Sequence, residues 1–249
     1  MFEPPWTPAA TLADSLRSSG HAVLHPDDLS VALGCQASEL AALQPSWGSL
    51  APDGYLRDGG RYRFRRHGSF VAEGDQLTQA PHRAHWQPVD YNALHGGIER
   101  WFVPLLPEIT ATDVWRRLLL GLARVTSQLH GERPWFIEAH QFRIDASEGI
   151  GRPTPEGAHR DGVDLVAVFL VERRGVKGGE SRVFEAAGPQ GQRFTLTLPW
   201  TVVLLDDARV IHETTPIQPL QAGEPAWRDT LVVTLRRGGF QDALAYSPR

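Results

Sequence analysis

The second half of the chain reads as a series of short strands, and this pattern limits the possible folds more than any other feature. Six apolar segments follow one another after Gly131, separated by turns rich in glycine, proline and aspartate. They are residues 135–144, 163–171, 181–184, 193–198, 201–205 and 230–235. Because no long helix lies between them to connect parallel strands, the pattern favours an antiparallel sandwich or jelly roll. We therefore expect an α+β fold with a β core over residues 132–240.

The first half contains the clearest helix of the chain. Within residues 112–129, Leu118, Leu122 and Val125 recur at helical spacing and form one apolar stripe. A stripe of this kind packs into a hydrophobic core. A second amphipathic helix is predicted over residues 9–19. This half is therefore predicted to be mainly helical and to pack against the β core.

The segment at residues 47–98 is rich in glycine, proline and histidine and is predicted to form a loop or lid. Within it, residues 61–65 alternate between apolar and cationic side chains, as a half-buried strand does. No repeat, low-complexity run or linker interrupts the chain. We expect a single domain over residues 1–249, of which residues 1–131 are the mainly helical N-terminal part.

Composition and charge exclude several classes of function. The net charge of −4 gives no general attraction to nucleic acid or to an anionic membrane surface. Cys35 is the only cysteine, so an intrachain disulfide is impossible. The first residues lack a basic segment followed by an apolar core, and no run of 18 apolar residues is present. We expect a cytoplasmic protein that acts on a small molecule.

The pair His159-x-Asp161 is the strongest candidate for chemistry. Side chains two residues apart on an extended chain point to the same face. An imidazole and a carboxylate placed in this way supply two ligands of a 2-His-1-carboxylate site for non-haem Fe(II). His212, at the end of another apolar run, is the candidate for the third ligand. The other histidines occur in no comparable pattern and are interpreted as surface or hydrogen-bonded residues.

Arg228 and Thr230 lie at the start of the last predicted strand and share one of its faces. An arginine that points into a barrel needs an anion to pair with, and a dicarboxylic cosubstrate supplies one. The alternative for Arg228 is a surface ion pair with Asp229 or Glu224.

Gln141 and Arg143 share one face of the strand predicted over residues 135–144. They are candidates for binding the carboxylate of a substrate or the proximal end of the cosubstrate. A structural hydrogen bond within the barrel is the alternative. The lid offers further partners for a substrate, namely Arg61, Arg63, Arg65 and Asp90.

Over well more than half of its length, about residues 92–236, the chain resembles the 2-oxoglutarate/Fe(II) dioxygenase family that includes bacterial free-amino-acid hydroxylases. The string Pro155-Glu-Gly-Ala-His-Arg-Asp-Gly-Val163 is the most specific match. The other matching stretches are residues 91–97, 141–144, 178–181, 206–212, 215–217 and 228–230.

The resemblance implies a double-stranded β-helix with Fe(II) bound by His159, Asp161 and His212. It also implies that Arg228 binds the distal carboxylate of 2-oxoglutarate, with Thr230 beside it. The expected reaction consumes 2-oxoglutarate and O2, hydroxylates an unactivated C–H bond of an amino or imino acid, and releases succinate and CO2.

Two alternatives keep the metal site but change the function. One is an oxygenase that tailors a carrier-bound or peptide intermediate. The other is a metal-binding cupin module without oxygenase activity, which would take up metal and form no succinate.

Overall fold

The fold is described from a computed structural model for residues 2–92 and 94–243. Five α-helices are α1 (Leu12–Ser19), α2 (Leu29–Leu33), α3 (Ala37–Ala41), α4 (Pro107–Thr110) and α5 (Asp113–His130). Short 3-10 helices cover Ala9–Thr11, Pro26–Asp28 and Gln44–Ser49. The strands are β1 (His21–Leu24), β2 (Ala51–Pro52), β3 (Arg63–Glu73), β4 (Gln76–Gln79), β5 (Trp135–Asp145), β6 (Leu165–Arg174), β7 (Val176–Gly178), β8 (Ser181–Glu185), β9 (Gly191–Phe194), β10 (Val202–Asp206), β11 (Val210–Thr214), β12 (Ile217–Pro219) and β13 (Trp227–Arg236).

One large antiparallel sheet organises these elements. Its strand order is β1-β10-β6-β13-β5-β3-β2, and β4 pairs with the outer part of β3. Two smaller sheets, β11-β8-β9 and β12-β7, form the opposite layer. Short backbone bridges join Gly151 to Ile217 and His159 to His212, and so add the loop between β5 and β6 to this layer.

The two faces of the large sheet differ in what they pack against. On the outer face, Ile137, Phe169 and Val233 pack with α5 and the other helices in the largest hydrophobic cluster. On the inner face, Val166 and Leu170 pack against residues of the smaller sheets, including Val183, Phe194 and Val210. Each strand therefore buries both faces near the centre of the sheet, which matches the nearly continuous apolar run of β6.

Helix α5 forms where the apolar stripe predicts it. The Thr112 side chain caps its N-terminus by accepting a hydrogen bond from the Trp115 amide (3.3 Å). At Gly121 the backbone of α5 comes so close to α2 that an added Cβ would lie 2.2 Å from the Leu33 carbonyl oxygen. The sequence requires glycine there because no side chain fits between the two helices.

The prediction of a double-stranded β-helix core with a helical part packed against it is confirmed. The prediction that the first 131 residues are mainly helical is wrong in one respect. The supposed loop at residues 47–98 contains β2, β3 and β4, and β3 is an eleven-residue strand paired along β5. The strand predicted over residues 193–198 also ends early, at Phe194.

Strands from both halves share one sheet. β1 pairs with β10, and β3 pairs with β5, so the N-terminal part supplies strands on both sides of the C-terminal core. We propose on this basis that residues 1–249 fold as a single domain. Within the part of the chain that the structure describes, no helix is long and apolar enough to cross a membrane. The cytoplasmic location stays a prediction.

Candidate functional site

A cavity opens between the inner face of the large sheet and the smaller sheets. Together with its mouth it encloses about 950 Å³. Its floor consists of alternate side chains of β3, β5 and β13: Arg63, Arg65, Glu138, His140, Phe142, Ile144, Arg228, Thr230, Val232 and Thr234. The segment between β4 and α4 covers it with His85, Gln87, Asn92, His95 and Arg100. The cavity is thus polar on the side of β3 and apolar toward β6.

Backbone pairing brings the predicted ligands together at the rim of this cavity. The His159 amide donates to the His212 carbonyl, and the His212 amide donates to the His159 carbonyl, both at 3.0 Å. His212 lies on β11, which is held in turn by β8. The two imidazole rings consequently face each other with centroids 4.7 Å apart.

Asp207 holds the His159-x-Asp161 loop in shape. Its buried carboxylate accepts hydrogen bonds from the amides of Asp161 (2.9 Å), Gly162 (2.8 Å) and Val163 (3.2 Å). Burial and the nearby Asp161 charge raise the pKa of Asp207 to about 6, although these amides act in the opposite direction. The sequence suggests a turn-shaping role for Asp206 and Asp207. The structure shows that the turn Asp207 shapes is the one that carries Asp161.

The three candidate ligands offer atoms that all lie within 4.8 Å of one another. The Asp161 carboxylate is central: its Oδ1 is 3.9 Å from His159 Nε2 and its Oδ2 is 3.7 Å from His212 Nε2. Two ligand atoms that bind one ion at roughly 2.1 Å lie at most about 4.2 Å apart. Both separations fall below this limit, and one ligand atom from each of the three residues lies within 4.8 Å of the other two, so the group is compact enough to be a candidate site for one cation.

The protonation of the imidazoles also fits a metal site. His159 Nδ1 lies 2.9 Å from the Gly157 carbonyl oxygen, which requires a proton on Nδ1 and leaves Nε2 as the metal-binding nitrogen, 3.5 Å from a Glu156 oxygen and 3.9 Å from Asp161 Oδ1. Burial opposes a charge on His159, but the carboxylates of Asp161 and Glu156 raise its pKa. Burial and the neighbouring His159 hold the pKa of His212 well below its usual value. Two nitrogen donors and one carboxylate suit a non-haem Fe(II) ion.

Arg228 and Thr230 project into the same cavity from β13. Arg228 is only 2% exposed, and its Nε and one Nη have no partner among the described residues. The predicted alternative, a surface ion pair, is therefore wrong. Burial and the nearby Arg173 lower the pKa of Arg228 to about 10. A buried guanidinium without an anion marks the place where an anionic ligand belongs.

Comparison with known proteins supplies the family. A family model described as 2OG-Fe dioxygenase matches residues 44–234. The chain belongs to the 2OG-Fe dioxygenase family. It shares 53% sequence identity with a bsmA homolog from Methylobium petroleophilum PM1, whose crystal structure superposes with a TM-score of 0.90 over 97% of this chain and 98% of that one.

Two more distant structures show the same fold. IDO from Bacillus thuringiensis has 16% identity and a TM-score of 0.74, covering 94% of this chain and 100% of that one. The Fe(II)/(alpha)ketoglutarate-dependent dioxygenase TqaL has 17% identity and a TM-score of 0.71, covering 96% and 90%. No curated protein sequence matches the chain.

Family membership establishes the reaction type and the cofactors. The protein is a 2-oxoglutarate-dependent dioxygenase, and the family uses Fe(II), 2-oxoglutarate and O2. Family membership therefore argues against the alternative of a cupin module without oxygenase activity. The candidate iron site of the dioxygenase lies at the mouth of its barrel and consists of His159, Asp161 and His212.

The prediction that Gln141 and Arg143 bind substrate is wrong, because both point away from the cavity of the dioxygenase. Gln141 Nε2 donates to Ser46 Oγ (2.7 Å) in the N-terminal part. Arg143 donates to both carboxylate oxygens of Asp229, at 2.8 and 2.6 Å. The inward face of β5 belongs instead to His140 and its neighbours at i±2.

Sequence reasoning named Arg63 and Arg65 as possible substrate partners but missed the other residues that line the polar side of the cavity. Gln87 Nε2 donates to Asp161 Oδ1 (3.1 Å), and Gln87 Oε1 accepts from Arg100 (2.8 Å). Both residues come from the predicted lid and carry no motif. For β5 a signal was available: the apolar residues Ile137 and Ala139 mark the face that packs on the helices, which leaves the alternate positions for the cavity.

Proposed function

We propose that this dioxygenase hydroxylates an unactivated C–H bond of a free L-amino acid or cyclic imino acid. One oxygen atom of O2 enters the product as a hydroxyl group, and the other enters succinate as 2-oxoglutarate loses CO2. The observation that carries the proposal is the convergence of a metal-binding triad and an unpaired buried guanidinium on one cavity. The resemblance of the Pro155–Val163 string to amino-acid hydroxylases supports the choice of substrate.

Each residue of the site has a defined task in this proposal. His159, Asp161 and His212 hold Fe(II), which together with 2-oxoglutarate and O2 supplies the oxidant that breaks the C–H bond. Arg228 and Thr230 bind the distal carboxylate of 2-oxoglutarate. The β-helix walls exclude water from the reacting atoms, and the polar residues near β3 orient the substrate.

A panel assay tests the proposal. The purified protein is incubated with Fe(II), 2-oxoglutarate and single free amino and imino acids, including branched-chain, thioether and cyclic ones. Mass spectrometry then detects the gain of one oxygen atom, and succinate is measured in parallel. We expect at least one acid to gain oxygen with an equal amount of succinate. The His212→Ala variant serves as the control and should form neither product.

Succinate formed only with peptide or carrier-bound substrates would contradict the proposal. It would favour the tailoring oxygenase instead.

A further inference from the structure

Three buried arginines line the polar side of the cavity, and we call them the cationic wing: Arg63, Arg65 and Arg100. Arg63 and Arg65 are alternate residues of β3, and Arg100 lies in the covering segment. They are 6%, 4% and 2% exposed, respectively. The wing lies two strands away from Arg228, because Arg63 and Arg228 both pair with Ile144 of β5. At a strand spacing of about 4.8 Å, their backbones are roughly 10 Å apart.

Few carboxylates pair directly with the wing. Asp53 is its direct carboxylate partner: one oxygen lies 2.7 Å from Arg63 Nε and 3.6 Å from Arg65 Nη1. The other oxygen accepts from the Tyr55 amide (2.9 Å). Arg100 donates to the neutral amide oxygen of Gln87. Asp53 is thus the carboxylate that pairs directly with the wing, while Glu138 and Glu156 act on Arg100 from farther away in the same cavity.

Burial and neighbouring charges act on the pKa values of the wing arginines. Burial and the neighbouring guanidinium groups lower the pKa of Arg65, although Asp53 opposes the shift. Burial and Arg63 lower the pKa of Arg100 to about 10. Arginine nevertheless stays charged at neutral pH, so an additional anion in the wing would be strongly attracted.

Specific donor atoms are left over for such an anion. Arg63 Nη2, Arg65 Nε and Arg100 Nε are buried and have no hydrogen-bond partner among the described residues. The Arg65 guanidinium is held between two aromatic rings, with its carbon 3.6 Å from the Phe102 centroid and 4.3 Å from the Phe142 centroid. Its plane is thus fixed before a ligand arrives. Fixed, unpartnered guanidinium nitrogens are the donors that carboxylates bind best.

The wing is also connected to the candidate iron site. Arg100 donates to Gln87, and Gln87 donates to Asp161 Oδ1. Two hydrogen bonds therefore separate the wing from a candidate ligand, and the cavity continues between them. A small molecule anchored in the wing would hold its carbon chain in front of the triad.

We propose that the cationic wing binds the carboxylate of the primary substrate, so that the substrate is a free carboxylic acid. A thioester or an internal peptide carbonyl carries no charge and could not neutralise the wing, which disfavours a carrier-bound substrate and a peptide bound through an internal residue. The inference rests on the proposed function, because it assigns the substrate of the same cavity.

Binding without turnover tests the inference directly. L-Leucine, L-methionine, L-proline and L-pipecolate are titrated calorimetrically, each beside its own carboxamide, with Fe(II) and 2-oxoglutarate present and O2 excluded. We expect at least one acid to bind about 100-fold more tightly than its carboxamide, as for a buried charge pair. Equal affinity of acid and carboxamide, or no binding of any of the four acids, would overturn the proposal.

Variants locate the effect in the wing. Arg100→Gln should weaken binding of the acid about 100-fold and change binding of the carboxamide less than about threefold, whereas Arg100→Lys should retain most of the preference. Arg66→Gln is the matched control, because Arg66 on β3 points outward and donates to the carbonyls of Pro104 and Ser49. Retained 2-oxoglutarate binding shows that each variant is folded. Equal weakening of acid and carboxamide in Arg100→Gln contradicts the inference.

The two proposals fail in different ways. If an acid binds with the expected preference but never gains oxygen, the wing stands and the proposed hydroxylation is wrong. If carboxamides or thioesters are hydroxylated as well as free acids, the hydroxylase stands and the wing assignment is wrong.

Discussion

Among the described residues, two groups of three side chains could hold a metal ion by distance alone. The rim group is His159, Asp161 and His212, and the sheet group is His67, His85 and His140. In each group the candidate ligand atoms lie within 4.8 Å of one another. The two groups nevertheless differ in charge and in which lone pairs are free.

In the sheet group, one nitrogen of each histidine contacts Glu138 or Arg65, while His67 Nδ1 has no partner among the described residues. His67 Nε2 and His85 Nδ1 lie 3.0 and 3.2 Å from the same Glu138 oxygen. His140 Nδ1 lies 2.8 Å from an Arg65 nitrogen, and because arginine only donates, His140 must carry its proton on Nε2. His140 therefore has no lone pair for a metal.

Charge separates the groups further. The rim group includes a carboxylate as a candidate ligand, whereas the sheet group lies next to Arg65, and the Glu138 oxygen that contacts His67 and His85 also lies 3.5 Å from Arg83 Nη1. The positive charges of Arg65 and Arg83 beside neutral imidazoles disfavour the binding of a metal cation there. Distance between ligand atoms therefore does not by itself define a metal site. The free lone pairs and the local charge do.

The largest effect is expected from removing the rim carboxylate. Asp161→Ala should lower the affinity for Fe(II) more than about 100-fold, because the loss of a ligand exceeds the effect of losing its outer partners. Iron per protein chain is measured after anaerobic dialysis. His140→Gln, in the sheet group, should still bind one iron. Normal iron content in Asp161→Ala, or loss of iron in His140→Gln, would reverse the assignment of the two groups.

The arginine next to each group gives a second contrast. Arg228 has two unpartnered nitrogens, whereas Arg65 has one and is also bonded to His140 and close to Asp53. We expect Arg228→Ala to raise the KM for 2-oxoglutarate about 100-fold and the KM for the primary substrate less than about threefold. Steady-state kinetics with each substrate varied in turn measures both values. An equal rise of the two would refute the clamp.

The rim group was predictable from the sequence because its chemistry is local. His159 and Asp161 are two residues apart, and the loop that carries them has a distinctive Pro-Glu-Gly string. His212 needed only the expectation that a β-barrel brings strand ends together. Arg228 was found by the same reasoning, because an arginine at a strand start inside a barrel requires an anion.

The sheet group and the cationic wing were not predictable in the same way. Both depend on β3 pairing with β5, and the sequence predicts only residues 61–65 of this region as a strand, without indicating the strand that it pairs with. The wrong choice of Gln141 and Arg143 has the same origin, since a shift of one residue exchanges the two faces of a strand. Which face looks inward is decided by the tertiary packing of Ile137 and Ala139 against the helices.

The sheet group should make folding depend on pH. Burial lowers the pKa of His85 to about 4, although Glu138 opposes the shift. In the unfolded chain His85 takes up a proton near pH 6.5, whereas in the folded chain it does so only near pH 4. The contribution of neutral His85 to the free energy of unfolding is therefore complete above pH 6.5 and is lost as the pH falls from about 6.5 to about 4. We expect His85 to contribute a loss of about 2 kcal/mol in the free energy of unfolding between pH 7 and pH 5.

Urea unfolding of the His85→Gln variant at both pH values measures this contribution. The variant should lose about 2 kcal/mol less than the parent protein on acidification. His25→Gln is the control, because that side chain is 35% exposed at the surface. If the two variants show the same pH dependence as the parent, His85 is not held neutral by burial.

The smallest expected effect concerns the link between the two sides of the cavity. Gln87 fixes Asp161 Oδ1 through its amide nitrogen and receives Arg100 on its amide oxygen. Residues that orient a metal ligand typically contribute 10- to 100-fold to affinity, at about 1.4 kcal/mol per tenfold. Because the Asp161 loop is also held by Asp207, we expect the lower end, about a tenfold weaker Fe(II) affinity, in Gln87→Leu.

Competition with a colorimetric chelator under anaerobic conditions measures this change, and Gln76→Leu on the exposed strand β4 is the matched control. Because Gln87 acts through Asp161, the double variant Gln87→Leu/Asp161→Ala should bind Fe(II) no more weakly than Asp161→Ala alone. Additive losses would mean that Gln87 supports the site by another route, such as the packing of the covering segment. If Gln87→Leu weakens Fe(II) binding only in the protein that retains Asp161, Gln87 is a positioning residue that connects the wing to the iron ligand.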